Sequence, residues 1–242
     1  MSVRRAGNPR GLEDLPFEVR RVAEAEKRRA RRLAAALAEC YPDAHCELDY
    51  SSPHELLVAT ILSAQTTDAA VNKVTPALFE RFPTPADYAA ASPGAIEPFI
   101  RSIGLFRNKA KAVHEAMGAL VERFGGEVPR TMEDLLTLRG VARKTANVVL
   151  GNCFGINNGF VVDTHIQRLA VRFGLAEPGA NAQQVERRLV ALFRREKWCD
   201  LSHQIIWHGR RACPARGGSC GEHPICSKFG VACEKRGKAD AG

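Results

Sequence analysis

The chain lacks the patterns of a membrane, sheet or repeat protein. It has no apolar run of about 18 residues, so we expect no membrane-spanning helix and no membrane partner. No convincing alternation of apolar and polar residues occurs, and Val161-Val162 is too short to build a sheet. Internal repeats are absent as well, and the only biased tract is the tail after Glu234.

Targeting signals are also missing. The N-terminus is rich in arginine but has no apolar segment of the kind that a secretory signal needs. An Arg-rich helical start could belong to an organelle transit peptide, but this one is too acidic, with Glu13, Asp14, Glu18, Glu24 and Glu26. We expect a cytoplasmic protein if the source is bacterial, and a nuclear or organellar one otherwise.

What the 242 residues do show is helical periodicity, which predicts an all-α fold in one large or two small domains. Leu33, Ala36 and Leu37 form an apolar stripe in a basic helix predicted over 18–39. Ser52, with Glu55 completing a capping box, starts another helix, and one more is expected from Thr67-Asp68 to about Phe82. The remaining helix starts and stops are Thr84-Pro85, Ser92-Pro93, Thr131, Gly125-Gly126 and Gly155.

The net charge of +8 is concentrated at the two ends of the chain. Residues 1–39 carry ten Lys and Arg against six acidic residues, and residues 194–238 carry ten against four. The middle, 40–193, carries 15 against 16. This distribution fits simple solubility, and it equally fits a phosphate-binding surface.

A glycine-containing turn leads directly into a helix at Leu138–Leu150, which reads L-R-G-V-A-R-K-T-A-N-V-V-L. A tight turn before a helix N-terminus presents backbone N–H groups to an anion such as phosphate. Lys144 lies in the first helical turn, where the helix dipole, Arg143 and partial burial at a cleft would favour the neutral, nucleophilic amine. The alternative is an ordinary surface lysine.

Asp163 follows 19 residues after this lysine, in the sequence V-D-T-H. It can cap a helix that begins at Thr164. An ionised carboxylate in this place can also take a proton or stabilise positive charge that grows on a sugar carbon. The two roles are compatible.

Four of the eight cysteines lie near the C-terminus with the spacing C-x6-C-x5-C-x6-C. They are Cys213, Cys220, Cys226 and Cys233. Because the chain has no secretion signal, a reducing compartment and a metal site are favoured over disulfides. Zinc is one possibility, since His208 and His223 are close in sequence. The other four, Cys40, Cys46, Cys153 and Cys199, are expected to be core or surface thiols.

Four segments, spread over roughly residues 30 to 235, together resemble the endonuclease III family of helix-hairpin-helix DNA glycosylases. They are I-L-S-A-Q-T-T-D at 61–68, G-L-F-R-N-K-A at 104–110, the hairpin with the V-D-T-H that follows it, and the C-terminal cysteines with their W-H-G-R-R-A-C lead-in. The resemblance implies a monomeric, bifunctional DNA glycosylase/AP lyase. Such an enzyme excises oxidised pyrimidines from double-stranded DNA with damaged bases or abasic sites, through a lysine imine and β-elimination.

The resemblance also assigns residues. Lys144 would be the nucleophile and Asp163 its catalytic partner, while Gln65 and Leu105 would fill the gap left by an extruded base. The alternatives are a core position for Leu105 and a cap or inter-helix hydrogen bond for Gln65. Further DNA contacts would come from Lys109, Gly140, Ala142, Arg143, His165, Arg210 and Arg211. Lys111 is a further candidate for a phosphate contact, and simple solvation is the alternative for Lys109 and Lys111.

A [4Fe-4S] cluster is implied on Cys213, Cys220, Cys226 and Cys233, framed by Arg210, Arg211 and Arg216, although the family spacing is C-x6-C-x2-C-x5-C. The resemblance further implies a continuous domain over 46–156, which holds the hairpin, and a discontinuous cluster domain from 1–45 and 157–242. The active site would lie in the groove between them, and both basic ends would meet in one domain.

The chain departs from the family pattern at the hairpin, where Leu-Arg-Gly-Val-Ala replaces Leu-Pro-Gly-Val-Gly. Ala142 loses the freedom of glycine at positive φ and Arg139 adds a cation, so altered phosphate affinity is expected. The interval from Lys144 to Asp163 is one residue longer than usual, with Asn157-Asn158-Gly159 as the expected insertion.

Two other functions remain open at this point. A monofunctional adenine-mismatch glycosylase would lack Lys144 and carry a further recognition domain, whereas this chain ends nine residues after Cys233. A non-catalytic DNA-binding or electron-carrying iron–sulfur protein belongs to a different class. Covalent trapping on DNA distinguishes both of them from the bifunctional enzyme.

Overall fold

The computed structural model describes residues 8–9, 11–216 and 220–231, without the side chain of Cys220. Cys233 lies outside the described residues. Within them the chain forms α-helices, two short 3-10 turns and loops, and no strand, so the predicted all-α fold is confirmed. None of these helices is long and apolar enough to cross a membrane.

The helices are α1 (Glu24–Cys40), α2 (Pro53–Leu62), α3 (Asp68–Asn72), α4 (Thr75–Arg81), α5 (Pro85–Ala90), α6 (Pro93–Ile100), α7 (Phe106–Phe124), α8 (Met132–Leu136), α9 (Arg143–Phe154), α10 (Thr164–Arg172), α11 (Ala182–Leu192), α12 (Trp198–Arg211) and α13 (Pro224–Phe229).

Short polar side chains set most helix starts, as the sequence predicts. Thr84 and Thr131 each accept a hydrogen bond from the backbone N–H three residues later. Ser52 does the same for α2, but the predicted capping box is wrong, because the Glu55 carboxylate accepts from the backbone and side chain of Ser51 instead. Gly125 and Gly155 end α7 and α9 in the left-handed conformation.

Two predicted helices are wrong in extent. The segment expected from Asp68 to Phe82 is divided into α3 and α4, and Pro76 lies in the first turn of α4 because it has no N–H to continue the preceding helix. The first helix begins at Glu24 and not at residue 18. Residues 11–23 form an irregular arm, and the side chain of Asn8 bonds the backbone of Leu12, Phe17 and Val19 in it.

The chain divides into two units by its contacts, one formed by Met1–His45 with Asn157–Gly242 and the other by Cys46–Ile156. In the unit 46–156, α7 packs against α5, α6 and α2, and α2 also packs against α9. Every residue of α2 from Leu56 to Leu62 is buried. This unit therefore has its own apolar centre, with α2 and α7 at its middle.

The other unit joins both ends of the chain. Helix α1 packs on α11, α12 and α13, and its Leu33 and Leu37 are fully buried in a core that includes Phe173 and Trp198. The Arg29 guanidinium donates to the carbonyl oxygens of Phe173, at 2.7 Å, and of Phe229, at 2.6 Å. One side chain of α1 thus binds the ends of α10 and α13.

We expect Arg29→Met to destabilise this unit by about 2 kcal/mol, because it removes two charge-assisted hydrogen bonds to the carbonyl oxygens of Phe173 and Phe229. The Tm should fall by roughly 5 °C. Arg28→Met is the control, since Arg28 is an exposed neighbour on the same helix. Equal melting temperatures for the two variants would show that Arg29 does not join these segments.

Candidate active site and metal centre

The hairpin before α9 depends on Gly140. Its φ is +80°, and a Cβ built there would lie 3.2 Å from the Ala112 Cβ and 3.3 Å from the Ile61 Cγ2. Both the conformation and the space favour glycine. The hairpin therefore lies directly on α2 and α7, which carry Ile61 and Ala112.

The two departures from the family hairpin prove mild in the structure. Ala142 is the N-cap of α9 with φ −94° and ψ 169°, a conformation that any residue adopts, so the freedom of glycine at positive φ is not needed here. The expected change in phosphate affinity stays a prediction. Arg139 donates to both carboxylate oxygens of Glu115, at 2.8 and 2.7 Å, and this bond holds the pKa of Glu115 below its usual range. The added cation is thus paired with an anion on α7.

Lys144 is the second residue of α9, directly after Arg143, so the prediction that it lies in the first turn is confirmed. Its side chain is exposed, and the predicted partial burial is wrong for the described structure. The amine therefore lies on the surface, in the first turn of α9.

Asp163 caps α10, as predicted. Its Oδ1 accepts from the backbone N–H of Ile166 at 2.8 Å, which holds the half-buried carboxylate in place. His165 lies one residue into α10, and Arg168 approaches its Nδ1 at 3.3 Å. Burial lowers the pKa of His165, with Arg168 and Arg210 adding to that effect and Asp163 opposing it. Asp163, His165 and Arg210 therefore share one electrostatic environment.

Gln65 and Leu105 share an unusual backbone conformation. They are the two non-glycine residues with positive φ in the described part of the chain, at 54° and 58°. Such a conformation costs an L-residue about 1–2 kcal/mol, and strain of this kind concentrates at functional sites. Leu105 is 57% exposed, so the alternative that it belongs to the core is wrong.

Lys109 occupies a different environment from the one expected of a surface lysine. It is only 5% exposed, and its Nζ donates to the Thr66 hydroxyl at 2.6 Å. Burial lowers the pKa of its ammonium. Solvation therefore does not account for this residue, while its predicted contact with phosphate stays a prediction.

Two of the four C-terminal cysteines come together with a histidine. The ligand atoms of Cys213, Cys226 and His208 lie within 4.8 Å of one another, and all three residues are buried. The hydrogen bond with Cys226, and further ones from His208 and Arg172, lower the pKa of Cys213 to about 3, against the effect of burial. Two buried sulfurs, one of them stabilised as a thiolate, suit a metal with sulfur ligands.

A chain of hydrogen bonds surrounds this centre. His223 Nδ1 accepts from the Ile225 N–H at 3.2 Å, and its Nε2 lies 3.4 Å from the Tyr41 hydroxyl. The same hydroxyl lies 2.9 Å from His208 Nδ1, and His208 Nε2 lies 3.1 Å from Cys226 Sγ. His208 is therefore held between the Tyr41 hydroxyl and a cysteine sulfur.

Sequence reasoning did not identify several residues that build these sites. Arg168 donates to the carbonyl oxygens of Gly209 and Cys213, and Arg172 bonds Cys213 Sγ at 3.0 Å and the Pro214 carbonyl at 2.9 Å. Their i, i+4 spacing on a basic helix face was the available signal. Thr66 lies in the segment 61–68 that the resemblance singles out, but neither there nor at Tyr41 does the sequence indicate the partner, which packing alone supplies.

Comparison with known proteins agrees with this arrangement. The family model described as "HhH-GPD superfamily base excision DNA repair protein" matches residues 58–195. Endonuclease III of Synechocystis sp. is 52% identical over 82% of this chain and 90% of its own length, and that of Escherichia coli K12 is 43% identical over 76% and 87%. A solved structure of a trapped endonuclease III–DNA covalent intermediate, an estranged-adenine complex, is similar with a TM-score of 0.81 and 41% identity, over 87% of this chain and 98% of that one.

The strain at Leu105 predicts that its replacement by glycine stabilises the protein. Leu105→Gly should raise the free energy of unfolding by about 1 kcal/mol, because glycine adopts positive φ without penalty. Leu105→Ala should give no such gain, since alanine keeps the strain. Leu136→Gly is the control: this leucine is 46% exposed but helical, so glycine should destabilise there. Chemical denaturation of the three variants checks the signs, and a loss of stability in Leu105→Gly would contradict the strain.

Proposed function

The chain belongs to the endonuclease III family of HhH-GPD base excision DNA repair proteins, and on this premise we propose that it is a bifunctional DNA glycosylase/AP lyase with Lys144 as nucleophile. The observation that carries the proposal is the position of Lys144, an exposed amine in the first turn of α9, directly after the glycine hairpin. Its substrate is double-stranded DNA with damaged bases or abasic sites, and the damaged bases are oxidised pyrimidines. The protein acts as a monomer.

The chemistry follows from an amine that meets a sugar carbon. Lys144 Nζ attacks C1′ of the damaged nucleotide, the bond from C1′ to the base breaks, and the base leaves with a proton. Opening of the sugar ring at C1′ gives an imine with the lysine. Loss of a proton from C2′ then expels the 3′ phosphate, which nicks the strand, and water hydrolyses the imine to release Lys144.

Asp163 supplies the negative charge in this scheme. Its carboxylate is held by the hydrogen bond from the Ile166 N–H at the start of α10. It takes the proton of the attacking ammonium and stabilises the positive charge that develops on C1′ as the base departs. His165, which shares its surroundings, orients the carboxylate or contacts a phosphate. The rigid cap keeps the carboxylate in one place throughout the reaction.

Extrusion of the damaged nucleotide leaves a gap in the duplex, and Gln65 and Leu105 fill it. The exposure and strained backbone of Leu105, together with the matching strain at Gln65, support this assignment. Backbone N–H groups of the hairpin at Gly140 and Ala142, with Arg143, Arg210 and Arg211, bind phosphates. Because these contacts do not read bases, they position the duplex without selecting a sequence.

We further propose that the metal centre is a [4Fe-4S] cluster held by Cys213, Cys220, Cys226 and Cys233. The two buried sulfurs of Cys213 and Cys226 fit it. When bound, the cluster supplies a fixed frame for the segment that follows α12. Arg172 and His208 stabilise the charge on the thiolates.

A covalent adduct with damaged duplex DNA should form in the presence of borohydride, because the reagent reduces the imine. Lys144→Ala and Lys144→Arg should abolish the adduct, and the arginine variant should still bind DNA, since it keeps the cation. Lys73→Ala, an exposed lysine of the same unit, should trap as the wild type does. Wild-type protein that binds DNA but gives no adduct would point instead to the non-catalytic iron–sulfur protein.

Asp163 allows charge and structure to be separated. Asp163→Asn keeps a capping side chain but removes the carboxylate, so single-turnover base excision should slow by roughly 10²–10⁴-fold with little change in Tm. Asp163→Ala should lose the cap as well, which should lower the free energy of unfolding by about 1 kcal/mol. If Asp163→Asn excises at the wild-type rate, the carboxylate acts only as a cap.

Purified protein should be yellow-brown and hold about four irons per chain. Cys213→Ser and Cys226→Ser should each reduce the iron content and the visible absorption, because each removes a thiolate. Cys199→Ser, on the half-buried Cys199 outside this set, should leave both unchanged. Colourless wild-type protein with one zinc per chain would contradict the cluster.

A further inference from the structure

Gln65 and Leu105 lie 40 residues apart in sequence, yet one side chain connects their turns. Lys109 donates from its backbone N–H to the carbonyl oxygen of Leu105 at 3.0 Å, and from its Nζ to the hydroxyl of Thr66 at 2.6 Å. Thr66 is the residue directly after Gln65. Lys109 is therefore bonded to Leu105 itself and to Thr66, the neighbour of Gln65.

Thr66 in turn closes the tight turn around Gln65. Its backbone N–H donates to the Ser63 carbonyl at 3.0 Å, and its hydroxyl reaches the Ala64 carbonyl at 3.4 Å. The hydroxyl can thus accept from Lys109 and donate to Ala64 at the same time. This arrangement fixes the residues on both sides of Gln65 while its own side chain stays exposed.

The burial of the Lys109 ammonium is unfavourable for the fold. Lys109 is 5% exposed, and the described residues give it the neutral Thr66 hydroxyl as side-chain partner and no ion pair. Burying a charge against a neutral group costs free energy, and a methionine of similar length would fill the same space without that cost. A lysine that weakens the fold is expected where it serves a function.

We propose that Lys109 and Thr66 are positioning residues, which hold Gln65 and Leu105 in one preformed arrangement for entry into the gap left by the extruded nucleotide. The inference rests on the proposed function, because it requires that these two residues fill that gap. Preformed side chains lose less conformational entropy when they enter the duplex. The Lys109–Thr66 bond thus favours the extruded state and leaves the binding of intact DNA unaffected.

The experiment follows extrusion through the stacking of the base opposite the lesion. A duplex with a non-cleavable abasic analogue carries 2-aminopurine opposite the lesion, and the fluorescence of this base increases when it is unstacked. Thr66→Val and Lys109→Met should each reduce the extruded fraction relative to the stacked one by about tenfold, which is the effect of one charge-assisted hydrogen bond. Thr66→Ser, which keeps the hydroxyl, should behave as the wild type. The double variant should be no worse than either single variant, because both remove the same bond.

Stability and binding to undamaged duplex distinguish the positioning role from a phosphate contact and from a purely structural role. Lys109→Met should keep or raise the Tm. Thr66→Val, which removes the same bond and keeps every cation, should leave the affinity for undamaged DNA and its salt dependence unchanged. If Lys109 contacts a phosphate, Lys109→Met will weaken the binding of all duplexes alike and flatten its salt dependence. Both effects will then be equally large in the Thr66→Val background. A purely structural role will lower the Tm of both variants, and Thr66→Ser will not restore extrusion. Either result overturns the proposal.

Failure of the inference is distinguishable from failure of the proposed function. If wild-type protein forms the borohydride adduct and unstacks 2-aminopurine, and the Thr66 and Lys109 variants match it in both assays, only the positioning role is wrong. If wild-type protein forms no adduct and leaves the fluorescence unchanged, both are wrong.

Discussion

The close packing of Gly140 on α2 and α7 is the constraint on which the unit 46–156 depends. Gly140 contacts Ile61, four residues before Gln65, and Ala112, seven residues after Leu105. The hairpin that leads to Lys144 and the two turns with strained residues are therefore built on the same pair of helices. Any side chain at position 140 would push these elements apart, because both neighbours are buried and cannot move into solvent. The Lys109–Thr66 bond adds a polar link to this apolar junction.

Local signals predict much of the fold. The helix starts at Ser52, Thr84, Thr131 and Asp163 are correct because a cap is satisfied within three residues of sequence. The first helix is predicted too long because its true start depends on Asn8, which bonds an arm up to 11 residues away. The burial of Lys109 escapes prediction for a similar reason: its partner Thr66 is 43 residues distant, and nothing in either segment indicates the other.

The basic charge does belong to both ends of the chain, but part of it serves the fold. Arg29 of the N-terminal part binds two backbone carbonyls, and Arg195 of the C-terminal part pairs with Asp14 at 2.5 Å. Arginines of the nearly neutral middle also bind inside this unit: Arg168 and Arg172 bond backbone carbonyls, and Arg188 pairs with Glu26. Cations that a count of residues would assign to DNA thus hold carbonyls and carboxylates within the protein. The exposed Arg28, Arg31 and Arg32 of α1 remain on the surface.

The partnership between α1 and the C-terminal helices also imposes an order on biosynthesis. Arg29 leaves the ribosome early, but its two carbonyl partners follow 144 and 200 residues later. At about 5–20 residues per second, the second partner is made roughly 10–40 s after the first residues of α1. During that time the unit 46–156 is completed, while Leu33 and Leu37 still lack their core. Cys213, Cys226 and His208 also follow this unit in the sequence, so the candidate metal site is completed only when α12 and α13 join α1.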